Sequence, residues 1–537
     1  MKRELGLIGA TWVSETSIIG SGWLFAPLSA ALLVGAGALL DWVIAGVVVI
    51  ILALCHAELG AMYPVSGGTA RFPHFAFGST AGVAFGFFAY LQAVTIAPVE
   101  CFAVMSYLSY YWKAIYNSNT GNVTGTGFVL TIVLMAVFVA VNFLAMRLFS
   151  RVNSVITWWK VLVPLFTIVV LLFKFHSGNF DLPGEGFLPG GARGLFAALP
   201  LAGIIFAYSG FEQADQLAGE IKNPGRNLPL AIIIAVLIGT VVYTLLEFVL
   251  LGAMPASLLG HGWLGFSDKT VIAGPFAGLA GAVSLGWLAS LLRVDAFISP
   301  FGTGLIYTTG TSRISYGLAK NRYVPTIFAR TDRNGVPWVG LIGAFLIGLV
   351  FLLPFPSWHS LVGLITGASV LMYAGAPLSL GAFRRQVPEA ERPYRMQAAS
   401  VLAPVAFIVA DLLIYWSGFE VVWKLGIVLV IGYIVLGVLM AFDKERPPLN
   451  LRSAIWLPAW LIGLGIISWQ GQYGGGAVLS PINTNNIPFW WDIVVVAAFS
   501  VAIYFWAMHS RLPREEMLEL VNKQAAEQDE LGPEMIG

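Results

Sequence analysis

The feature that most constrains this chain is repetition: stretches of about twenty apolar residues, the length a helix needs to cross a hydrocarbon core, recur along most of it. Fourteen such windows lie near residues 6–33, 39–62, 81–111, 128–147, 154–175, 195–217, 229–253, 276–308, 338–354, 360–383, 400–417, 424–442, 454–470 and 489–509. With 58% hydrophobic and only 11% charged residues the chain cannot clothe a water-soluble surface, so lipid has to cover the outside. Spans of this length in lipid satisfy their backbone as helices. The expectation is an all-α polytopic membrane protein of the cell membrane with about fourteen transmembrane helices.

Lysine and arginine set the orientation. With fourteen spans, twenty-two of the 29 basic residues fall on one side and five, Lys113, Lys174, Arg193, Lys269 and Lys424, on the other, leaving Lys160 and Arg293 inside spans. Both termini are therefore expected in the cytoplasm, and adding or dropping a span would destroy the asymmetry. Lys2 and Arg3 ahead of an apolar run also suit a signal peptide. That run reaches Val34 and is interrupted, so it reads as an uncleaved first span.

Composition closes off other classes. A net charge of +1 offers no field for nucleic acid. Cys55 and Cys101, the only cysteines, lie in apolar runs and frame no disulfide network. The six histidines have no metal-ligand spacing, so neither a metal nor another cofactor is expected. A pump's G-x-x-x-x-G-K-[ST] and the hydrolase signatures H-E-x-x-H and G-x-S-x-G are all missing, so no enzyme is expected.

Two spans are interrupted at mid-length, the first by Gly20-Ser21-Gly22 and the sixth around Tyr208-Ser209-Gly210. They stand five spans apart, as inverted repeats of five helices would place them, with substrate held between them at the midplane. Unwound backbone offers N–H groups to a carboxylate and C=O groups to an ammonium, which are the two ends of an amino acid. Glycine also serves plain close packing of membrane helices, so the breaks alone do not decide.

Longer motifs do. Ile18-Ile-Gly-Ser-Gly22, Ala57-Glu-Leu-Gly-Ala-Met-Tyr-Pro-Val-Ser-Gly-Gly68, Phe206-Ala-Tyr-Ser-Gly-Phe-Glu212 and Ala218-Gly-Glu-Ile-Lys-Asn-Pro-Gly-Arg-Asn-Leu-Pro229 resemble, in order and spacing, the amino acid–polyamine–organocation permeases over roughly residues 5–445. Leu353-Pro-Phe-Pro-Ser-Trp358, His261-Gly-Trp263 and Tyr415-Trp-Ser-Gly418 look like its aspartate–proton symporter branch. The resemblance implies a LeuT-type 5+5 inverted repeat. Its halves would span 1–175 and 195–383, followed by four peripheral helices over 400–510 and a cytoplasmic tail over 511–537. It also implies secondary amino-acid transport, with protons as the coupling partner and acidic amino acids as candidate substrates. A neutral amino-acid carrier or exchanger of the same fold, a channel and a nutrient sensor are the alternatives. The heteromeric relatives attach their glycoprotein through a cysteine between the third and fourth spans; residues 112–127 have none, so no disulfide-linked subunit is expected.

Candidate site residues follow. Ile19, Gly20, Ser21, Gly22, Phe206, Tyr208, Ser209 and Gly210 are assigned to substrate, Phe206 as the aromatic gate of the resembled family. Ionisable groups within a membrane are functional by default. Lys160 lies about 10 Å deep from Asn153 at 1.5 Å per residue, where the resemblance puts it beside the unwound first helix in place of sodium; snorkelling is the competing reading. Glu100, Glu212, Asp215 and Asp295 are coupling or gating candidates, with Glu212 alternatively a helix cap. Arg293, read as buried near the level of the breaks, is either a fork for an acidic substrate or half of a structural ion pair with Glu100. Glu15 is left without a role. The topology predicts that a cysteine replacing Arg385 will react with a membrane-impermeant thiol reagent only after the membrane is opened; labelling on intact cells would overturn it.

Overall fold

The structure, a computed structural model, describes residues 5–65, 67–144, 146–332, 335–354, 357–442, 448–475 and 484–530. The first apolar window is two half-helices, α1 (Leu7–Ile18) and α2 (Gly22–Val34), followed by α3 (Ala38–Met62), a short α4 (Gly68–Phe77) and α5 (Ser79–Leu108). Next come α6 (Gly125–Leu144) and α7 (Met146–Leu172). The sixth window is broken twice rather than once, into α8 (Gly191–Leu201), α9 (Ile204–Tyr208) and α10 (Gln213–Gln216). Gly203 at φ +86° makes the extra break and Gly210 at φ +126° the expected one.

Beyond it lie α11 (Pro224–Ala253), α12 (Lys269–Ala273), α13 (Pro275–Ala282), α14 (Gly286–Lys320), α15 (Trp338–Leu352) and α16 (Trp358–Gln386). The window read as 276–308 is thus corrected: a turn at Val283–Leu285 separates α13 from a long α14 that runs on to Lys320. The chain ends with α17 (Ala399–Trp416), α18 (Phe419–Phe442), α19 (Trp456–Gln470), α20 (Phe489–Ser510) and a polar α21 (Arg514–Glu530). The exceptions to the all-α expectation among the described residues are a two-residue antiparallel pairing, Tyr116–Asn117 with Asn122–Val123, and the isolated bridges Leu5–Ile221 and Leu182–Gly186.

Nine helices among the described residues are long and apolar enough to cross a membrane. Their outward faces carry large apolar side chains, such as Val137, Val241, Val430 and Ile434, which lipid tolerates and water would not. The broken helices are instead enclosed: α3, α5, α11, α14 and α16 surround α1, α2, α9 and α10.

Glycine permits the close approach. A Cβ on Gly22 would sit 2.8 Å from Ala207 Cα, and one on Gly210 would sit 2.6 Å from Ser17 Cβ, so the two breaks touch backbone to backbone. Gly210→Ala adds both this overlap and a φ that only glycine adopts readily, together costing a few kcal/mol. It is expected to abolish uptake or accumulation of the protein in the membrane; wild-type transport by Gly210→Ala would show that the contact relaxes freely.

Candidate functional site

Breaking a helix inside a membrane frees N–H groups that must find partners. At the first break the Ser21 N–H donates to Glu100 Oε2 of α5 at 2.9 Å. At the second, the Gly210 N–H donates to Glu212 Oε2 at 2.8 Å. Each break thus has its own buried glutamate, and the Ser21 N–H expected to await a substrate carboxylate already holds an internal one. Gly20 lets Glu100 approach, since a Cβ there would lie 2.7 Å from Glu100 Oε1 and 2.9 Å from Thr303 Oγ1.

Lys160 does not snorkel. It has no exposed surface, and its Nζ donates to Thr16 O of α1 at 2.5 Å and Thr303 Oγ1 of α14 at 2.7 Å. The Thr303 hydroxyl in turn donates to Thr16 O at 3.0 Å. The ammonium therefore joins α7, α1 and α14 one turn before the first break. Freed carbonyls are also bound: the Tyr243 hydroxyl on α11 is within donating distance of Ile18 O (2.9 Å) and Ala207 O (3.2 Å), bridging the two breaks.

Glu212 gathers neutral donors. Tyr373 OH reaches Oε2 at 3.0 Å, while Tyr307 OH and Gln92 Nε2 each reach Oε1 at 3.3 Å. It occupies the N-cap position of α10 without bonding that helix's first N–H groups, so the simple capping role is corrected. Asp215 points elsewhere, to His56 Nδ1 of α3 at 3.1 Å. The Tyr373 ring packs against His56 at 5.9 Å, linking the two carboxylates.

Phe206 sits under an aromatic lid. Its ring meets Trp358 edge-on at 5.8 Å; Trp358 stacks on Phe25 at 4.9 Å and donates its Nε1–H to Ser21 Oγ at 2.8 Å. A cavity of about 540 Å³ near this lid is lined by His359, Trp416, Glu420 and Lys424 among others. At the opposite end of the bundle the chain start pairs with the loop before α11: Leu5 N–H donates to Glu220 O (3.0 Å), Lys222 N–H to Leu5 O (2.8 Å), and Arg313 salt-bridges Glu220 (3.1 Å).

Ile19, Gly20, Ser21, Gly22, Phe206, Ser209, Gly210, Lys160, Glu100 and Glu212 come together here. Tyr208 lies beside them but turns away, donating to Trp42 O at 3.0 Å. Asp295, about 12 Å from Thr303 along α14 at 1.5 Å per residue, accepts from Trp159 Nε1 (2.9 Å) and Ser299 Oγ (2.8 Å). Arg293 does not belong to the group. It lies near the start of α14, partly exposed, with its guanidinium 3.5 Å from the Tyr110 ring centroid and facing a cavity of about 730 Å³ that Lys113 and Lys269 also line. Neither the pairing with Glu100 nor placement at the breaks holds. The long stem and the two tyrosines explain it: cation–π contact at the helix end replaces a buried counter-ion.

Thr16, Thr303, Tyr243, Gln92, Tyr307, Tyr373, His56 and Trp358 were not singled out from the sequence. A signal existed for some of them: Asp295, Ser299, Thr303, Tyr307 and Thr311 form a four-residue polar repeat along α14, all buried, each on the same side as the next. Gln92 and Glu100, eight apart on α5, likewise share a face.

Comparison with known proteins places this geometry. The family model for amino acid permeases matches residues 5–467. The glutamate/serine transporter AimA of Bacillus subtilis is 34% identical over 95% of this chain and 94% of its own length, and the aspartate-proton symporter of the same organism is 34% identical over 96% and 97%. The human Asc-type amino acid transporter 1 is 27% identical over 86% of each. The chain belongs to the amino acid permease family. In this multi-pass permease Arg293 stands about 15 Å along α14 from Thr303 at 1.5 Å per residue. Arg293→Ala is therefore expected to leave apparent substrate affinity within about twofold, as for surface changes. A large rise in the Michaelis constant of uptake would return Arg293 to the substrate path.

Proposed function

We propose that this permease is a proton-coupled secondary transporter that moves amino acids by alternating access through a LeuT-type 5+5 fold, without catalysis. The observation that carries it is Lys160 bonded to Thr16 O and Thr303 Oγ1. A carbonyl and a hydroxyl beside an unwound helix suit a monovalent cation; a fixed ammonium already fills them and repels a second one. The driving ion is then the proton. In this reading 1–175 and 195–383 are the two halves, 400–510 is a peripheral set of helices, fourteen spans place both termini in the plasma-membrane cytoplasm, and 511–537 is a cytoplasmic tail. The Trp358 lid faces outward and the Leu5–Ile221 pairing inward. Cys55 and Cys101 are fully buried, which fits a transporter without a disulfide-linked subunit.

Glu100 on the Ser21 N–H holds the position that a substrate carboxylate would take, so substrate arrival displaces it and binding is tied to its charge. The names of the two Bacillus relatives make L-aspartate, L-glutamate and L-serine the substrates to test. The placement of Arg293 favours a second reading in which small neutral amino acids are accepted too, because Lys160 is then the one basic side chain at the breaks among the described residues, and it is already bonded to Thr16 O and Thr303 Oγ1. Purified protein in liposomes, given labelled amino acids under imposed gradients, tests the proposal. Accumulation should follow the proton gradient, and Lys160→Ala should lose it while remaining in the membrane. Collapse of wild-type uptake on removing sodium at constant pH would overturn proton coupling.

A further inference from the structure

Away from the breaks, α3 and α11 enclose a second acidic site. Asp41, in the first turn of α3, has no exposed surface, and neither of its carboxylate oxygens has a hydrogen-bond partner among the described residues. A carboxylate in a helix's first turn ordinarily binds that helix's N–H groups; this one does not. Glu247 of α11 is equally enclosed, with Oε2 accepting from Trp42 Nε1 at 2.8 Å and Oε1 unpartnered. The helices register closely, since a Cβ on Gly46 would lie 2.5 Å from Thr240 Cγ2. Trp42, about one turn from Gly46, meets Glu247, about two turns from Thr240; Asp41 precedes Trp42 in the chain, and the Thr244 hydroxyl, also unpartnered, precedes Glu247 by three residues on α11.

Among the described residues no cation bonds these carboxylates. Lys160 on α7 and Glu15 on α1 lie at the breaks; Arg193 on α8 donates to Gln472 O; Asp411 on α17 accepts from Trp460 and Ser500. On α16, His359 is bonded to Ser29 and Arg384 to Glu58, while His56 and Glu58 occupy the far end of α3. Of the segment that packs on the end of α11 and the start of α3, Glu185 accepts from the Trp263 N–H, and Lys174, His176 and Asp181 flank the turn at Ser177–Phe180; Tyr208 and Tyr243 are further titratable neighbours, donating to Trp42 O and to the break carbonyls. Two ionised carboxylates with no counter-charge and one hydrogen-bond donor between them are untenable in a membrane interior.

We propose that Asp41 and Glu247 hold one exchangeable proton between them, a second proton-binding site toward the outer face, resting on the proton-coupled reading and its orientation. Loading forms an O–H bond on one carboxyl as hydronium becomes water; unloading breaks it and returns the proton to water. Trp42 connects the pair to the breaks: its indole binds Glu247, its carbonyl accepts from Tyr208, and its ring packs 5.1 Å from Tyr243, whose hydroxyl holds Ile18 and Ala207.

The test uses the full chain in liposomes with Asp41→Asn and Glu247→Gln, near-isosteric changes of which the second keeps an acceptor for Trp42. Labelled L-glutamate or L-serine counterflow certifies folding in the same vesicles. Each variant should retain counterflow and lose proton-driven accumulation, and the wild-type infrared band of a protonated carboxyl, exchangeable in heavy water, should vanish in each. Accumulation by both variants at the wild-type level, or a band unchanged in both, overturns the proposal. Wild-type accumulation indifferent to the proton gradient would sink symport instead, while the infrared band still decides whether the pair carries a proton.

Discussion

Everything near the centre of this permease depends on satisfying the backbone N–H groups released where α1 gives way to α2 and α9 to α10. In water such groups would be solvated; inside a membrane each costs several kcal/mol if left alone. Glu100 and Glu212 take the Ser21 and Gly210 N–H groups. The solution imports negative charge into a place where charge is expensive, and the surrounding side chains are arranged around that consequence. Glu212 is stabilised by the neutral hydroxyls of Tyr307 and Tyr373 and the amide of Gln92, whereas Lys160 sits close enough to Glu100 to act on its charge.

The same breaks dictate the glycines. Substituting a side chain at 20 strikes Glu100 and Thr303, at 22 strikes Ala207, and at 210 strikes Ser17. Backbone flexibility is thus only part of their role. Their missing side chains let one broken helix lie on the other, so that Tyr243 can serve carbonyls from both and a shift of one is felt by its partner.

Much of this was legible in the residues. Apolar windows of bilayer length located most of the long helices to within a few residues, α7 and α14 excepted, because hydropathy and length are the constraints a membrane imposes. Gly20-Ser21-Gly22 marked the first break since only small residues leave backbone bare. The extra break of the sixth window at Gly203 and the split between α13 and α14 were not visible, because Gly203 and Ser284 adopt positive φ in runs whose composition is unremarkable. Lys160 does meet the first broken helix, at Thr16 O, although its own helix opens at Met146 rather than near residue 154. Arg293 was misplaced for a related reason: depth depends on where the helix starts, and a window opening at 276 instead of α14 opening at Gly286 carried it toward the centre. Its partners, Tyr110 and Tyr111, are distant in sequence and carried no charge to point to them.

The buried acids then sort by what surrounds them. Glu58 meets two guanidiniums and the Met396 N–H, a permanent ion pair at the end of α3 that locks rather than cycles. Glu212 accepts from neutral donors on three other helices while it closes its own break. Asp41, Glu247 and Glu15 lie at the other extreme, enclosed yet offered one donor or none. A carboxyl with no donors is stable only when it carries its own hydrogen, so an acid of this kind gains or loses a proton whenever its enclosure opens to water. Alternating access supplies such openings. The distribution of donors, rather than the number of acids, therefore separates the groups that hold the breaks together from those able to respond to a proton gradient.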